Sequence, residues 1–493
     1  MYDLLIKNGK VINGTGSPSF FADVAILDGK IARIGKGIEG AEKVIDAKGL
    51  TITPGFIDSH SHSDNALLTY PDLVEKIEQG ITTSIGGQCG ESPIPMDEFL
   101  DSVRDRSFGS NTALLVGHSM LRRTVMGMEN REPTVPELQE MKRLLCNGMN
   151  HGALGISFGL IYAPSVYAKT EELIELAKLV GEYHGIVAAH IRGEGNCLIK
   201  AVDEFITIIR ESGARGVLSH HKVAGGKENW GKVNHSLRMI EKANSEGVEI
   251  YCDVYPYVAT HTSLDETVIP PERHSNGSEG LLKLLSQKEE RQKLKEWGRN
   301  KWGEDLSWIQ ISKCNAYPEY VGMRVSDIAA LRGTDPYDAM YDMMADSNFN
   351  CNACYFTMCE EDVETVLAYP RAMICTDSSV AKGANTFHPR LKGSFPRVLG
   401  RYVRERKVTT LPEMIRKMTS MPASVYGLQT KGLIWEGMDA DICIFDAEKI
   451  RDRSEFTDCN HRAEGLNYVI LGGKVVVENA VYNGKKMGKV LTK

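Results

Sequence analysis

The middle of the chain alternates short apolar runs with amphipathic helical stretches, and nothing else in the sequence limits the fold as much. Runs at 113–116, 155–157, 186–189, 216–218 and 249–252 read as strands. Stretches such as 170–183 and 198–212 carry apolar residues at helical spacing. Strand–helix alternation of this length implies parallel βα units of the α/β class. A closed, TIM-like (β/α)8 barrel is the arrangement expected. A doubly wound open sheet is the alternative, but no GxGxxG turn opens the first βα unit.

Both ends of the chain differ from this middle. Ile6, Val11 and Ile12 precede an Asn13-Gly14 turn, the run 24–27 precedes Asp28-Gly29, and Ile31, Ile34, Val44 and Ile45 continue the pattern. The C-terminal end repeats it at 441–446, at 468–471 and, after Gly472-Gly473, at 474–477. One small β-sandwich built from residues 1–57 and 426–493 is expected, flanking a barrel over 58–425. A polar, Lys/Glu-rich and mainly helical stretch at about 264–320 breaks the rhythm and reads as an insertion after a barrel strand. Its place in the chain would let it cover a site at the barrel mouth.

Composition narrows the partners. The 493 residues are 42% hydrophobic and 25% charged, the balance of a globular protein with a sizeable core. A net charge of -7 argues against nucleic acid, which needs a basic surface. The N-terminus lacks the apolar region of a secretory signal, and no run approaches the ~18 apolar residues of a membrane span. Eleven irregularly spaced cysteines read as reduced thiols, so a cytoplasmic protein acting on a small molecule is expected.

The strongest chemical signal is GFIDSHSHSD at 55–64. Residues two apart on a strand share a face, so His60 and His62 can chelate one cation at a barrel mouth. Cys89 stands among glycines that let the backbone turn sharply. His190, His220 and Asp377 each end an apolar run. A lone His in that place is most often a core residue with a satisfied ring; two, with an HxH and a later acid, are not explained that way. Imidazole and thiolate donors with one carboxylate suit zinc better than magnesium or calcium. Zinc makes hydroxide available at neutral pH, and a carboxylate such as Asp377 can carry its proton to a leaving group.

These motifs, with GGQCGES, GLIYAPSVYA, AAHIRGEGN, SHHKVAGGKENWGK, DVYPYVATHT, TDSS and HPRLKGSFPRVLGRYVRE, resemble the N-acyl-D-amino-acid deacylases (D-aminoacylases) of the amidohydrolase superfamily along nearly the whole chain. The resemblance implies zinc-dependent hydrolysis of the amide bond of N-acyl-D-amino acids. It places a tight zinc on Cys89, His190 and His220, and a weaker second metal on His60, His62 and a bridging Cys89. Asp377 becomes the general acid/base, and Tyr162 helps polarise the scissile carbonyl. Lys222, Tyr255 and Arg390 clamp the substrate carboxylate, with His221 lining the site as a hydrogen-bonding neighbour.

The sequence departs from that pattern in three places. His261 stands where a serine is usual, GGQCG replaces GNCG, and the stretch from 378 to 389 is longer than usual. The first and third bear on which substrate is taken. Cys351 and Cys354, with Cys359 and Cys375, lack a second CxxC and read as buried thiols, the first two on a barrel strand. His388 and His461 read as exposed or structural. The alternatives are a cyclic-amide hydrolase of hydantoinase or dihydroorotase type, a dipeptidase for C-terminal D-residues, and a non-catalytic scaffold.

Overall fold

The computed structural model describes residues 1–380 and 388–493. The parallel strands expected in the middle form two ladders. Phe56–Asp58, Ile81–Gly86 and Asn111–Leu114 make a three-stranded sheet. Val116–Gly117, Gly155–Gly159, Ile186–His190, Arg215–Leu218, Ile250–Val254 and Ala372–Ile374 make a six-stranded one, parallel throughout. Leu115 alone separates the ladders along the chain, and its N–H donates to Gly86 O at 3.1 Å. At the other side Ser59 N donates to Ile374 O at 3.3 Å, and Ser61 bridges Ser378 in parallel register.

These strands are buried along their whole length, so Ile186–His190 reads as a nearly continuous apolar run, and even the Thr82-Thr83-Ser84 segment of Ile81–Gly86 is buried rather than alternating with solvent. The helices between them bury one stripe each. Thr170–Glu182 turns Leu173, Leu176, Ala177 and Val180 inward. Leu198–Ser212 does the same with Val202, Phe205 and Ile209, and ends at Gly213 in the left-handed conformation that closes a helix without a Cβ clash.

The two termini meet in one nine-stranded sheet, joined where Thr51–Pro54 runs antiparallel to Ile442–Phe445. Its apolar core combines Leu4, Ile6, Val24, Ile26 and Ile52 with Ile442, Ile444 and Ile470. The expected sandwich is thus a single hydrogen-bonded sheet in its strand pairing.

The insertion is larger than the polar stretch suggested. Thr260–Ser263, Ile309–Cys314 and Cys351–Tyr355 form a separate three-stranded antiparallel sheet. Its own core includes Leu281, Leu285, Ile311, Tyr337, Met340 and Met344. Cys351 and Cys354 are buried, but their strand does not belong to the parallel ladder as expected. A short apolar run carries the same local signal in either setting; the strand that pairs with Ile250–Val254 is Ala372–Ile374. Among the described residues no helix is long and apolar enough to cross a membrane.

Candidate metal centre

Buried polar contacts hold together the strand ends that carry His60, His62 and Asp377. Asp58 accepts from Lys76 Nζ at 2.9 Å, from Thr376 N at 2.8 Å and from Thr376 Oγ1 at 2.6 Å. Beyond it, Asp377 N donates to His60 O at 2.9 Å and His62 N to Ser378 O at 3.1 Å. The HxH and the Asp377 segment therefore run side by side. Asp377 Oδ1 lies 3.3 Å from His62 Nε2 and 3.6 Å from His60 Nε2.

Cys89 reaches the same point from the end of Ile81–Gly86. Its Sγ is 3.3 Å from His60 Nε2, 3.4 Å from His220 Nε2 and 3.8 Å from His190 Nδ1. The turn that delivers it is tight: Gly87 has φ 70°, and a Cβ there would lie 2.0 Å from Leu115 O. Cys89, His220 and Asp377 themselves adopt φ of 53°, 35° and 47°. Side chains rarely sit there, at about 1–3 kcal/mol each, and such strain concentrates where function fixes a geometry.

The donors fit a borderline cation. Burial pushes the Cys89 thiol well above its ordinary value, and Asp377 adds to the effect. Burial likewise pushes His60 well down and His190 down to about 3. Neutral imidazoles are the ligand form, and a cation is what would stabilise the thiolate in so buried a place. The sets His60–His62–Cys89, Cys89–His190–His220 and His60–His220–Asp377 each place their donor atoms within 4.8 Å of one another.

Two acids that sequence reasoning did not single out complete the surroundings. Glu194 Oε1 lies 2.6 Å from Lys222 Nζ, 3.3 Å from His220 Nδ1 and 3.7 Å from His190 Nε2. Burial raises its carboxyl, but Lys222 and the imidazoles outweigh burial and hold it below the usual range. Asp253 accepts from His220 N at 2.5 Å and faces His60 Nδ1 at 3.9 Å; burial pushes it up to about 7. An acid between glycines four residues past a strand-end His, and an acid inside an apolar strand, were the signals available.

The expected substrate residues fall into different places. Lys222 is not a free cation: beyond Glu194 it meets His220 Nδ1 at 2.9 Å and His220 O at 3.0 Å. Tyr255 is buried with Arg390 5.0 Å and Lys222 5.5 Å from its ring centre. The Arg390 guanidinium donates to Asp377 Oδ2 at 2.6 Å and to His261 O at 3.3 Å. Tyr162 packs edge-on against His190 at 5.1 Å. The His261 ring bonds Ser312 of the insertion at 2.8 Å. His221 does not line the cavity as expected: Nε2 meets Ser236 Oγ at 2.8 Å on the helix behind, because neighbours in a chain diverge. His388 Nε2 meets Ala259 O at 3.0 Å and the residue also lines the cavity, whereas His461 is exposed. Residues 381–387 of the unusually long stretch lie outside the described residues.

A cavity of about 1510 Å³ opens above this cluster. His62, Cys89, Tyr162, Asp377 and Arg390 line it, together with Lys301, Trp302 and Trp308 of the insertion. Residues 43–477 match the Amidohydrolase family. The chain belongs to that family. It is 34% identical to the D-aminoacylase of Alcaligenes xylosoxydans xylosoxydans, across 100% of this chain and 98% of that protein. A solved D-aminoacylase with a binuclear metal center, described by one-metal activation and second-metal attenuation, superposes on this amidohydrolase with a TM-score of 0.86. It is 33% identical, with 100% of both chains covered. The N-acyl-D-glutamate deacylase of Bordetella bronchiseptica, solved with zinc and a phosphonate mimic of the tetrahedral intermediate, superposes at 0.85 with 32% identity and 100% of both chains covered.

Proposed function

We propose that this amidohydrolase hydrolyses the amide bond of N-acyl-D-amino acids, releasing a carboxylate and a free D-amino acid. The observation that carries the reading is the meeting of Cys89 Sγ with three imidazoles at 3.3–3.8 Å beside the paired Asp377 and Arg390. Cys89, His190 and His220 would hold a tight zinc, and His60, His62 and Cys89 a weaker second one. Zinc bound there acidifies water and polarises the scissile carbonyl.

The side chains supply the rest. Asp377 takes the proton from the attacking water and delivers it to the leaving nitrogen as the C–N bond breaks. Tyr162, at the cavity wall beside His190, donates toward the carbonyl oxygen as charge builds on it. Arg390 receives the substrate carboxylate, with the Tyr255 ring beneath its guanidinium. Glu194, itself held by Lys222, accepts from His220 Nδ1 and fixes the ring, and Asp253 fixes the His220 backbone.

We further infer that the parallel strands close into a (β/α)8 barrel, on the strength of the Ser59–Ile374 and Ser61–Ser378 backbone links. Residues 58–425 then form the metal-dependent domain, and 1–57 with 426–493 the terminal β-domain.

The test is amine release from a panel of N-acetyl-D- and N-acetyl-L-amino acids, with zinc and with chelator. Zinc-dependent, D-selective turnover is expected. A zinc-loaded protein idle on the whole panel would move the reading to cyclic amides or dipeptides.

A further inference from the structure

We propose that Cys314 and Cys351, in the insertion, are a modification site for peroxide, which oxidises the two thiols to a disulfide. They are direct partners across the antiparallel strands Ile309–Cys314 and Cys351–Tyr355, and their Sγ atoms lie 3.2 Å apart. One step further along this pairing, Asn315 N donates to Asn350 O at 3.3 Å. Hydrogen-bonded and non-hydrogen-bonded pairs alternate in an antiparallel ladder, so Cys314 and Cys351 are a pair of the second kind, whose side chains stand closer. Cα atoms in such a pair are about 4.5 Å apart, within the span of about 4.4–6.8 Å that a disulfide bridges. Cys354, three residues beyond Cys351 on the same strand, points to the opposite face, so the Cys-x-x-Cys spacing is not what brings these thiols together.

The surroundings set the two sulfurs apart. Cys351 donates to Cys314 Sγ. Ser347 Oγ accepts from Ala316 N at 3.1 Å, which leaves its own O–H to donate to Cys314 Sγ at 3.3 Å. These bonds, that from Cys351 above all, hold the Cys314 thiol below its ordinary value against its burial, while the same contact and burial push Cys351 up. The thiolate is the form that attacks, so Cys314 is the nucleophile of the pair. Cys314 also lines the cavity, as do Lys313 and Asn315 on either side of it, whereas Cys351 is fully buried. A reagent as small as hydrogen peroxide meets Cys314 from the cavity.

The Cys314 sulfur attacks one peroxide oxygen, the O–O bond breaks, and the other oxygen takes a proton and leaves as water. Cys314 is thereby oxidised by two electrons to a sulfenic acid, and the peroxide is reduced. The Cys351 sulfur then attacks Cys314. The S–S bond forms, the S–O bond breaks, and hydroxide leaves as water with the Cys351 proton. The bridge joins residues 37 apart in the chain and ties down the strand whose Ser312 meets the His261 ring at 2.8 Å. The pair lies in the insertion and stands whichever amide the enzyme cleaves.

The experiment treats the full-length, zinc-loaded protein with dilute hydrogen peroxide, denatures it with an alkylating agent present and maps the peptides without reductant. A peptide pair joined through Cys314 and Cys351, lighter by two hydrogens and carrying no alkyl group at either sulfur, is expected. Dithiothreitol should return both thiols. In Cys351→Ser the oxidation should stop at a Cys314 sulfenic acid that takes a dimedone label. Alkylation of both cysteines as in untreated protein would overturn the site, as would a bridge from Cys314 to any other cysteine. The wild-type map decides this even where the variant fails to fold.

Discussion

Arg390 donates to Asp377 Oδ2 at 2.6 Å with both side chains buried beside the cysteine–histidine cluster. Burial alone would raise the Asp377 carboxyl; Arg390, with His220 and His62, outweighs it and holds the group well below its ordinary value. The acid is therefore ionised before substrate arrives, which is the state a proton acceptor needs. The same guanidinium is the one proposed to receive the substrate carboxylate, so the two roles are coupled through one side chain.

Arg390→Ala should lower kcat/KM for N-acyl-D-amino acids by at least about 100-fold, or about 2.7 kcal/mol. Arg390→Lys should recover only part of this, because an ammonium keeps the charge without the two-pronged fork. Steady-state kinetics on one good substrate decides it. An unchanged value would point to substrates without a free carboxylate, such as cyclic amides.

Asp377→Ala should abolish turnover while zinc stays bound. Cys89 and the imidazoles of His60, His190 and His220 still converge without it. The loss expected for removing a positioned acid/base is about 100- to 10,000-fold. Elemental analysis beside the rate measurement separates loss of chemistry from loss of metal. Substantial residual activity would remove Asp377 from its role.

Gly159→Ala should weaken zinc binding although residue 159 carries no donor. It ends the strand Gly155–Gly159, and a Cβ there would lie 2.0 Å from Cys89 O and 2.7 Å from Cys89 C. Those are backbone atoms and cannot swing aside, so the Cys89 turn must move. A zinc affinity lower by about tenfold, about 1.4 kcal/mol, is expected from chelator competition. Wild-type affinity would show that the turn tolerates the shift.

The metal cluster was legible because its carriers obey local rules. His60 and His62 share a strand face, Cys89 needs glycines around it, and His190, His220 and Asp377 follow apolar runs. Glu194 and Asp253 were not singled out, although each broke a local pattern. Their importance depends on closeness to His190, His220 and His60 across separate strands, which no local pattern encodes. The strand Cys351–Tyr355 was assigned to the wrong sheet for a related reason. Five residues of apolar character define a strand but not its neighbour, and here the neighbours are antiparallel segments of the insertion. His221 shows the reverse limit. Motif position put it at the site, and the chain's own geometry turned its ring to Ser236.

Arg122→Met should both destabilise the protein and flatten its response to acid. Arg122 is fully buried, with its guanidinium 2.5 Å from Glu172 Oε2, while His118 Nε2 meets Glu172 Oε1 at 2.9 Å. His118 Nδ1 continues at 2.7 Å to Ser165, in the loop that follows Tyr162. Burial raises the Glu172 carboxyl, but the bond and charge of His118 and the charge of Arg122 leave it below its ordinary value. Burial lowers His118, and Arg122 lowers it further against the pull of Glu172. Both shifts mean that the folded protein holds fewer protons than the unfolded chain. The stability so contributed is present in full above the unfolded values, about 6.5 for His and 4.3 for Glu, and is lost as pH falls through the folded ones. Removing Arg122 lets both groups rise toward those unfolded values. The variant should lose about 3–5 kcal/mol at pH 7, the cost of breaking a buried pair. It should then lose less than the wild type between pH 7 and pH 4. Urea unfolding at both pH values measures the two effects, and the comparison between proteins cancels zinc release common to both. Parallel pH slopes would show that the network is not the acid-sensitive element.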